Sequence, residues 1–353
     1  MATPEPTPRS GTARAGAAAG TAGADDAALM RSIIQRIATG PELSKDITRD
    51  EARRGMRLVL DGKVDPVRAA VFLIALRMKR ETDEENLGIL DAVLAACGVP
   101  AVSHGVESMG PKLGATHHRV LAACGAPVTS TPQEVCTRLA DPETGWAYCD
   151  QSVFNPKLHA LAELRSLIIK RPALATVEVM AGPVRGRRHT HVVTGYVHKP
   201  YARVYTMLAR CAGFDSALIV RGVEGGIIPS LRQGAKVWSC HDGGDEHDTD
   251  ISPEALGIAQ TVRAVPLPEG IEGYRRKSDA TGGEVDGLAI AGAAARAGLD
   301  ALDGAPGPAR DSLVYGAALV LRHIGRAQRL AEGATLVRSA LDDGRVRAHF
   351  KRD

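Results

Sequence analysis

The sequence predicts an α/β protein in which a small N-terminal helical subdomain precedes a larger α/β domain. Apolar residues recur at helical spacing in short segments between residues 25 and 94, a pattern typical of small packed helices. Further along, Ala217–Val220 is a continuous apolar run of the kind that forms a buried parallel strand. With 353 residues, 44% of them hydrophobic, the chain is long enough to form two domains.

Composition divides the chain into three regions. Residues 1–24 are rich in Ala, Gly, Thr and Pro and offer little to bury, so we expect a disordered tail. Residues 25–94 form the predicted helical subdomain, and residues 95–353 form the predicted α/β domain. The C-terminal helices are candidates to join the helical subdomain.

Capping signals delimit the helices of the subdomain. Thr48 followed three residues later by Glu51 is a capping box, and Pro66 stands at the first position of the next helix. A second capping box begins at Thr82 and includes Glu85. The predicted helices are Ala28–Ile37, Thr48–Leu60, Val67–Met78 and Thr82–Leu94.

The larger domain carries both helix and strand patterns. Apolar spacing predicts a helix over Leu158–Lys170, and the β-branched residues of Ala173–Met180 predict a strand. Residues 264–284 are loop-like, and the other predicted helices are Ala202–Ala212, 311–331 and 332–343. The acidic segment 240–250 contains His241 and His247, but it lacks a regular framework for metal ligands, so we predict no metal site.

Charge is distributed unevenly along the chain. Between Lys157 and Lys236 there are 13 Lys or Arg residues against 4 Asp or Glu, whereas the whole chain carries a net charge of only +3. A strongly basic segment of this kind indicates an anionic partner. The alternative is that these side chains only solvate an exposed face.

Cysteine usage and hydropathy indicate the cellular compartment in which the protein is expected. The six cysteines include no Cys-x-x-Cys pair, which suits a reducing environment and argues against a zinc cage or a disulfide framework. No apolar run approaches the roughly 20 residues needed to span a bilayer. The N-terminus also lacks the apolar stretch of a signal peptide. We therefore predict a cytoplasmic protein without a membrane partner.

Several motifs together resemble the anthranilate phosphoribosyltransferase family, glycosyltransferase family 3. They are Ile37-Ala-Thr-Gly-Pro-Glu-Leu-Ser, Asp65-Pro-Val-Arg-Ala-Ala-Val-Phe-Leu-Ile-Ala-Leu, Val102-Ser-His-Gly, the segment Arg165–Gly226, and Arg310-Asp-Ser-Leu-Val-Tyr-Gly-Ala-Ala-Leu. The resemblance covers nearly everything after residue 28. It implies a phosphoribosyltransferase-like fold with a parallel-dominated sheet in the large domain, and a homodimer formed through the helical domain.

The chain departs from the family pattern at two places. Family enzymes carry a glycine-rich diphosphate loop before the His-Gly strand, where this chain runs through 91–102 without a Gly-x-Gly-Gly sequence. Such loops bind diphosphate through exposed backbone N–H groups. The family's Asp-Glu pair for magnesium aligns with Ile227 and Ile228. Hydrocarbon side chains cannot ligate a cation that requires oxygen.

The resemblance also supplies candidate substrate-binding residues. Ser103, His104 and Gly105 match the family's Lys-His-Gly loop, and Lys112 follows them with a further cation. Arg165 matches the family arginine that contacts the aromatic acceptor. Alone on a helix, it could equally pair with Glu163 or Glu178. No catalytic residue is assigned.

Two functions remain open at this stage. The first is a protein that binds single-stranded nucleic acid, as in the non-catalytic branch of the family that the chain resembles most. Its predicted footprint consists of seven cations, Lys170, Arg171, Arg185, Arg187, Arg188, Lys199 and Arg203. The second is an active transferase that moves ribose 5-phosphate from phosphoribosyl diphosphate to anthranilate or a related acceptor. Only this second function requires a cofactor, magnesium.

Overall fold

The computed structural model describes residues 15–40, 43–79, 102–108, 115–141, 143–168, 170–266 and 286–351. Its helices are α1 (Ala15–Ile37), α2 (Arg49–Leu60), α3 (Pro66–Lys79), α4 (His117–Ala123), α5 (Pro132–Ala140), α6 (Gln151–Phe154), α7 (Pro156–His159), α8 (Ala162–Ile168), α9 (Leu174–Val177), α10 (Pro200–Cys211), α11 (Gly287–Leu302), α12 (Pro308–His323), α13 (Leu330–Asp342) and α14 (Arg345–Lys351). Its strands are β1 (Ser103–Gly105), β2 (Tyr148–Asp150), β3 (His191–Gly195), β4 (Ser216–Val220), β5 (Ala235–His241) and β6 (His247–Ile251).

Helices α1 to α3 form the predicted helical unit. Ile33, Met56 and Phe72 are fully buried among them. The capping box at the start of α2 is confirmed, because Glu51 N donates to Thr48 Oγ1 at 3.2 Å and Thr48 N donates to Glu51 Oε2 at 2.9 Å. Arg36 of α1 also forms an ion pair with Glu51, so the same carboxylate joins two helices.

The N-terminal tail is shorter than predicted. Helix α1 begins at Ala15, so the prediction of disorder is wrong for residues 15–24. Alanine has the highest helix propensity of all residues, and an Ala-rich segment can extend a packed helix without burying side chains. The predicted helix Thr82–Leu94 lies outside the described residues.

The described strands form two sheets of mixed direction. β1 pairs in parallel with β2, and the second sheet has the order β3-β4-β5-β6. Only β3 and β4 are parallel there, since β5 runs antiparallel to both β4 and β6. Parallel pairs therefore do not dominate the described strands. The acidic segment 240–250 is a hairpin between β5 and β6, which gives it a strand framework that the sequence did not indicate.

The four-stranded sheet has a core on each face. Along β4, Ala217 and Ile219 belong to the core that includes α10 and extends to the helical unit. Leu218 and Val220 belong to the opposite core, where Tyr315 of α12 is also buried. Since successive side chains of a strand point to opposite faces, the apolar run Ala217–Val220 is the pattern of a strand covered on both sides.

Two predictions upstream of this sheet are wrong. Ala173–Met180 is not a strand but helix α9 followed by a 3-10 turn. Leu174, Val177 and Met180 are fully buried at intervals of three residues, so helical packing prevails over the β propensity of the valines. The predicted helix Leu158–Lys170 is divided into α7 and α8 by a turn at Ala160.

The C-terminal helices differ from the prediction in number and extent. The sequence predicted 311–331 and 332–343, whereas α12 ends at His323 and α13 begins only at Leu330. Helix α11 was not predicted, because its Ala- and Gly-rich sequence has little apolar contrast between its faces.

Two features are absent from the described residues. Within the described part of the chain, no helix is long and apolar enough to cross a membrane. The five described cysteines, at positions 124, 136, 149, 211 and 240, form no disulfide.

A tight backbone contact closes the sheet at the carboxyl end of β3. The segment after β4 turns back at 222–228, where Val223 N donates to the carbonyl of Ile228 at 3.0 Å. A methyl group added at Gly195 would overlap the carbonyl oxygens of Gly225 and Gly226. A methyl group at Gly222 would overlap Gly226 as well. Glycine at these positions therefore lets the turn lie against the strand.

We expect Gly195→Ala to destabilise the protein by about 3 kcal/mol or more, because the overlapping atoms belong to the backbone and cannot change rotamer. The matched control is Gly298→Ala in α11, where an added methyl group meets nothing within 4 Å. That control should be neutral or stabilising by up to about 1 kcal/mol. Denaturant unfolding of both variants tests this, and equal stabilities would contradict the contact.

Candidate functional site

The predicted anion-binding loop forms strand β1, and its residues are engaged by other groups. Ser103 Oγ lies 3.1 Å from His117 Nε2. His104 Nε2 lies 3.3 Å from the carbonyl of Val179, so this nitrogen donates, and the ring meets the edge of Phe154. Burial lowers the pKa of His104, which makes it a neutral packing residue at neutral pH. Lys112 lies outside the described residues.

Beside β1, a histidine and an aspartate form a hydrogen-bonded pair. His118 Nδ1 lies 2.9 Å from Asp150 Oδ2, and Tyr148 Oη donates to the same oxygen at 3.2 Å. Burial would raise the pKa of Asp150, but hydrogen bonds from Ser152 and His118 outweigh it and lower that pKa. Burial, then the neighbouring Asp150, raises the pKa of Tyr148 well above its usual value. Asp150 therefore remains a carboxylate held on three sides.

Arg165 forms a buried ion pair. Its guanidinium donates to both carboxylate oxygens of Glu178, at 2.7 and 2.6 Å, and its side chain is 4% exposed. Gln151 Nε2 donates to the same carboxylate at 3.3 Å. Of the two partners that the sequence offered, Glu178 is the one used. A ligand carboxylate would have to displace Glu178 before it could bind this arginine.

The seven predicted nucleic-acid-binding residues are all exposed, but they do not share one sheet edge. Arg185, Arg187 and Arg188 precede the amino end of β3, whereas Lys199 and Arg203 follow its carboxyl end. Lys170 and Arg171 lie between α8 and α9. The basic residues thus flank one strand rather than follow successive parallel strands.

The loop before β3 has a fixed conformation. The Arg185 guanidinium donates to the carbonyls of Ala212 and Gly213 at the end of α10 and lies over the ring of Phe214, 5.4 Å from its centre. Gly186 N donates to Thr190 Oγ1 at 3.1 Å, and Thr190 N donates to Asp215 Oδ2 at 2.6 Å. Arg185 therefore holds the loop against the end of α10, while Arg187 and Arg188 project from the loop.

Histidines gather next to this loop, at the amino ends of β3 and β4. His191 Nδ1 and His323 Nε2 lie 2.6 and 2.7 Å from the same Ser216 hydroxyl, and His241 packs on His323 with ring centres 4.4 Å apart. Burial lowers the pKa of His191. Burial, then His241 and His191, lowers the pKa of His323 to about 4. These two rings are therefore neutral hydrogen-bonding groups at pH 7.

A groove of ≈ 750 Å³ lies at the other end of the sheet. Tyr196 and Lys199 follow β3, Arg221 follows β4, and Lys236 and Trp238 belong to β5. In open α/β sheets, ligands bind beyond the carboxyl ends of parallel strands, which is where the first three residues stand. Sequence reasoning missed this groove because Trp238 is brought to it only by the antiparallel pairing of β5 with β4.

The residues that align with the family's magnesium ligands do not fit a cation. Ile227 is 46% exposed and Ile228 is half-buried, and neither side chain carries an oxygen. Magnesium binds through carboxylates, phosphates and water. Elsewhere among the described residues, no group of three or more His, Cys, Asp or Glu side chains is placed to hold a metal ion.

Comparison with known proteins connects both parts of the fold to one family. Residues 31–97 match the helical bundle domain of the glycosyl transferase family, and residues 86–275 match its a/b domain. Anthranilate phosphoribosyltransferase from Methylocella silvestris is 25% identical over 353 residues, which cover 90% of this chain and 92% of that protein. The corresponding protein from Rhodopseudomonas palustris is 24% identical over 360 residues, covering 92% and 97%.

Solved structures show the same fold. Anthranilate phosphoribosyltransferase from Thermus thermophilus aligns with a TM-score of 0.58 at 18% identity, covering 92% of this chain and 97% of that one. A variant of the Saccharomyces cerevisiae enzyme with magnesium bound aligns with a TM-score of 0.65 at 13% identity, covering 92% and 96%. The predicted fold class, a small helical domain before a larger α/β domain, is confirmed. The chain belongs to the glycosyl transferase family that includes the anthranilate phosphoribosyltransferases.

Proposed function

We propose that this chain is a nucleic-acid-binding member of its family in which the ribosyl-transfer site has been lost. The observation that carries the proposal is the fixed loop before β3. It presents Arg187 and Arg188 to solvent, and neither forms an ion pair within the part of the chain that the structure describes. Cations presented in this way bind phosphate groups without first giving up an internal partner.

The fixed backbone of the loop favours binding. Because Arg185 and Thr190 anchor its two ends, the loop loses little conformational entropy when a ligand binds. Asp215, an acid beside the loop, accepts a hydrogen bond from Thr190 N, and its other oxygen lies 3.8 Å from His189 Nδ1. The positive charge of Arg187 and Arg188 is therefore left for a partner.

A second basic group lies at the far end of the same strand. β3 runs from His191 to Gly195, so its ends are about 13 Å apart at roughly 3.3 Å per residue. Lys199 stands just beyond that end, at the start of α10. A single strand that follows β3 would therefore meet cations at both ends.

Features of the ribosyl-transfer site oppose the enzyme alternative. Arg165 is held by Glu178, and the turn 222–228 offers two isoleucines where the family places magnesium ligands. The glycine-rich loop is absent from the sequence. Transfer from phosphoribosyl diphosphate requires stabilisation of the leaving diphosphate, which the magnesium ligands and the glycine-rich loop would supply. Their loss removes most of the basis for catalysis.

We expect the protein to show no appreciable turnover of phosphoribosyl diphosphate with anthranilate, even with magnesium present, because these groups are missing. Diphosphate release should be measured beside the Saccharomyces cerevisiae anthranilate phosphoribosyltransferase as positive control. A rate near the enzyme median of about 10 per second would contradict the proposal and restore the transferase.

We expect the double variant Arg187→Ala/Arg188→Ala to bind single-stranded DNA more weakly and with a flatter dependence on salt. Each phosphate neutralised on a single strand contributes a slope of about −0.7, so losing two should flatten the slope by about 1.4. Arg185 is left unchanged because it holds the loop. The measurement is fluorescence anisotropy of a labelled oligonucleotide across a salt series.

The matched control removes the same charge elsewhere, with Arg54→Ala/Arg57→Ala on the exposed side of α2. Its slope should equal that of the wild type. If both double variants behave alike, the loop is not the interface. If the wild type does not bind at low salt, the nucleic-acid proposal fails.

We further propose a homodimer formed through the helical unit. Val67 and Met78 are 73% and 67% exposed. They lie eleven residues apart on α3, close to three helical turns, and so they share one face. Apolar side chains grouped on one helix face mark interaction surfaces.

We expect the wild type to be a dimer at micromolar concentration and Val67→Glu/Met78→Glu to be a monomer, because the variant would bury two charges in the interface. Light scattering with size exclusion measures this. Val265→Glu is the control, since Val265 is also exposed but lies far along the chain in a loop. A wild type that remains monomeric would refute the dimer.

A further inference from the structure

The groove beyond β3 and β4 combines an aromatic wall with cations. Trp238 is half-buried and lines the groove, while the buried Tyr196 lies beneath it. Tyr196 belongs to the buried core against which the Trp238 side chain packs. The core supports the indole from one side while the ring lines the groove, so Trp238 can serve as a stacking surface.

The cations of the groove fall into two groups. Lys236 is paired with Asp248, and its Nζ lies 3.4 Å from Asp250 Oδ1. Lys199 and Arg221 also line the groove, and neither forms an ion pair among the residues that the structure describes. An anion is therefore drawn to Lys199 and Arg221 and is kept away from the hairpin by its two aspartates.

This arrangement matches the two parts of a nucleotide. A base has a flat face that stacks on an indole, and its phosphate requires cations within a few ångströms of the ring. The volume of ≈ 750 Å³ is large enough for such a unit and within the range of small-ligand sites. Asp248 and Asp250 can accept hydrogen bonds from the amino groups of a base.

We infer that the groove binds a nucleotide of a single-stranded nucleic acid, with its base stacked on Trp238 and its phosphate on Arg221 and Lys199. The inference rests on the proposed function and assigns it a second contact, beyond the basic loop. In a duplex the bases stack on each other and their faces are covered. The groove therefore gives the protein a preference for single strands, which a purely electrostatic surface would lack.

Tryptophan fluorescence provides a direct test, because the chain contains only Trp146 and Trp238. Trp146 stacks on Phe350 and donates to the carbonyl of His349 at 3.2 Å, away from the groove. In the variant Trp146→Phe, Trp238 is the sole tryptophan. Titration with oligothymidylate should quench its emission, since the probe base would contact the indole. In the matched variant Trp238→Phe, the emission of Trp146 should not change.

A second measurement separates the groove from the basic loop. Trp238→Ala should weaken binding of oligothymidylate roughly ten-fold, as loss of a stacking partner does, without changing the salt slope. Trp238→Phe retains an aromatic ring and should lose less. Because Trp238 also packs against the core, circular dichroism is used to establish that both variants are folded. The quenching measurement keeps the native residue and does not depend on that outcome.

The outcomes distinguish the groove from the proposed function. Quenching of Trp238 by oligothymidylate, with little quenching by a duplex of the same length, supports the inference. If the oligonucleotide binds and Arg187→Ala/Arg188→Ala flattens the salt slope while Trp238 emission stays constant, the groove inference is overturned and the proposed function stands. If the wild type binds no oligonucleotide at low salt, both are overturned.

Discussion

The parallel pairing of β3 with β4 is the interaction on which the rest of the large domain depends. It joins residues 191–195 to residues 216–220 in register, so both strands begin at one end of the sheet and finish at the other. The loop before β3 and the histidines around Ser216 stand at the amino ends. Tyr196 and Arg221 stand at the carboxyl ends. A short pair of strands thus determines which residues can act together.

The same pairing depends on glycine at its carboxyl end. Gly195 and Gly222 let the turn 222–228 lie directly against the strand. The turn presents backbone carbonyls of Gly225 and Gly226 to the sheet, and Ile227 to solvent. The backbone geometry of this turn therefore depends on its glycines and not on the identity of the side chains at 227 and 228. A fold can in this way be kept while the side chains of one loop, and with them its chemistry, vary.

Buried charge has a comparable role within the larger domain, where it joins α8 to the turn after α9. The Arg165 and Glu178 side chains satisfy each other in a region shielded from water, and Gln151 adds a further hydrogen bond. Removing one partner from such a pair is strongly destabilising, typically by about 3–5 kcal/mol, because the other charge stays buried. The ion pair with Glu178 is thus a sufficient structural reason for an arginine at position 165. An arginine matched to a substrate contact by family resemblance need not be available to a substrate.

The sequence was most informative where a local signal decided the structure. The capping box at Thr48 and the apolar run Ala217–Val220 depend on neighbouring residues and on burial, and both were predicted correctly. Valines within 173–180 suggested a strand, yet Leu174, Val177 and Met180 are buried at helical spacing by packing that is not local. The groove could not be predicted at all. Its tryptophan lies more than forty residues beyond Tyr196 and joins it only through strand order.

The two ends of β3 therefore offer a ligand different kinds of contact. At the amino end, His191 and His323 are neutral at pH 7, so the positive charge comes from Arg187 and Arg188. That end can attract phosphates but cannot recognise bases, since the nearby rings pack on one another. At the carboxyl end, Trp238 provides a flat apolar surface beside two cations. In the proposed function, charge at both ends would fix where a nucleic-acid strand lies, while the indole at one end would distinguish an exposed base from a paired one.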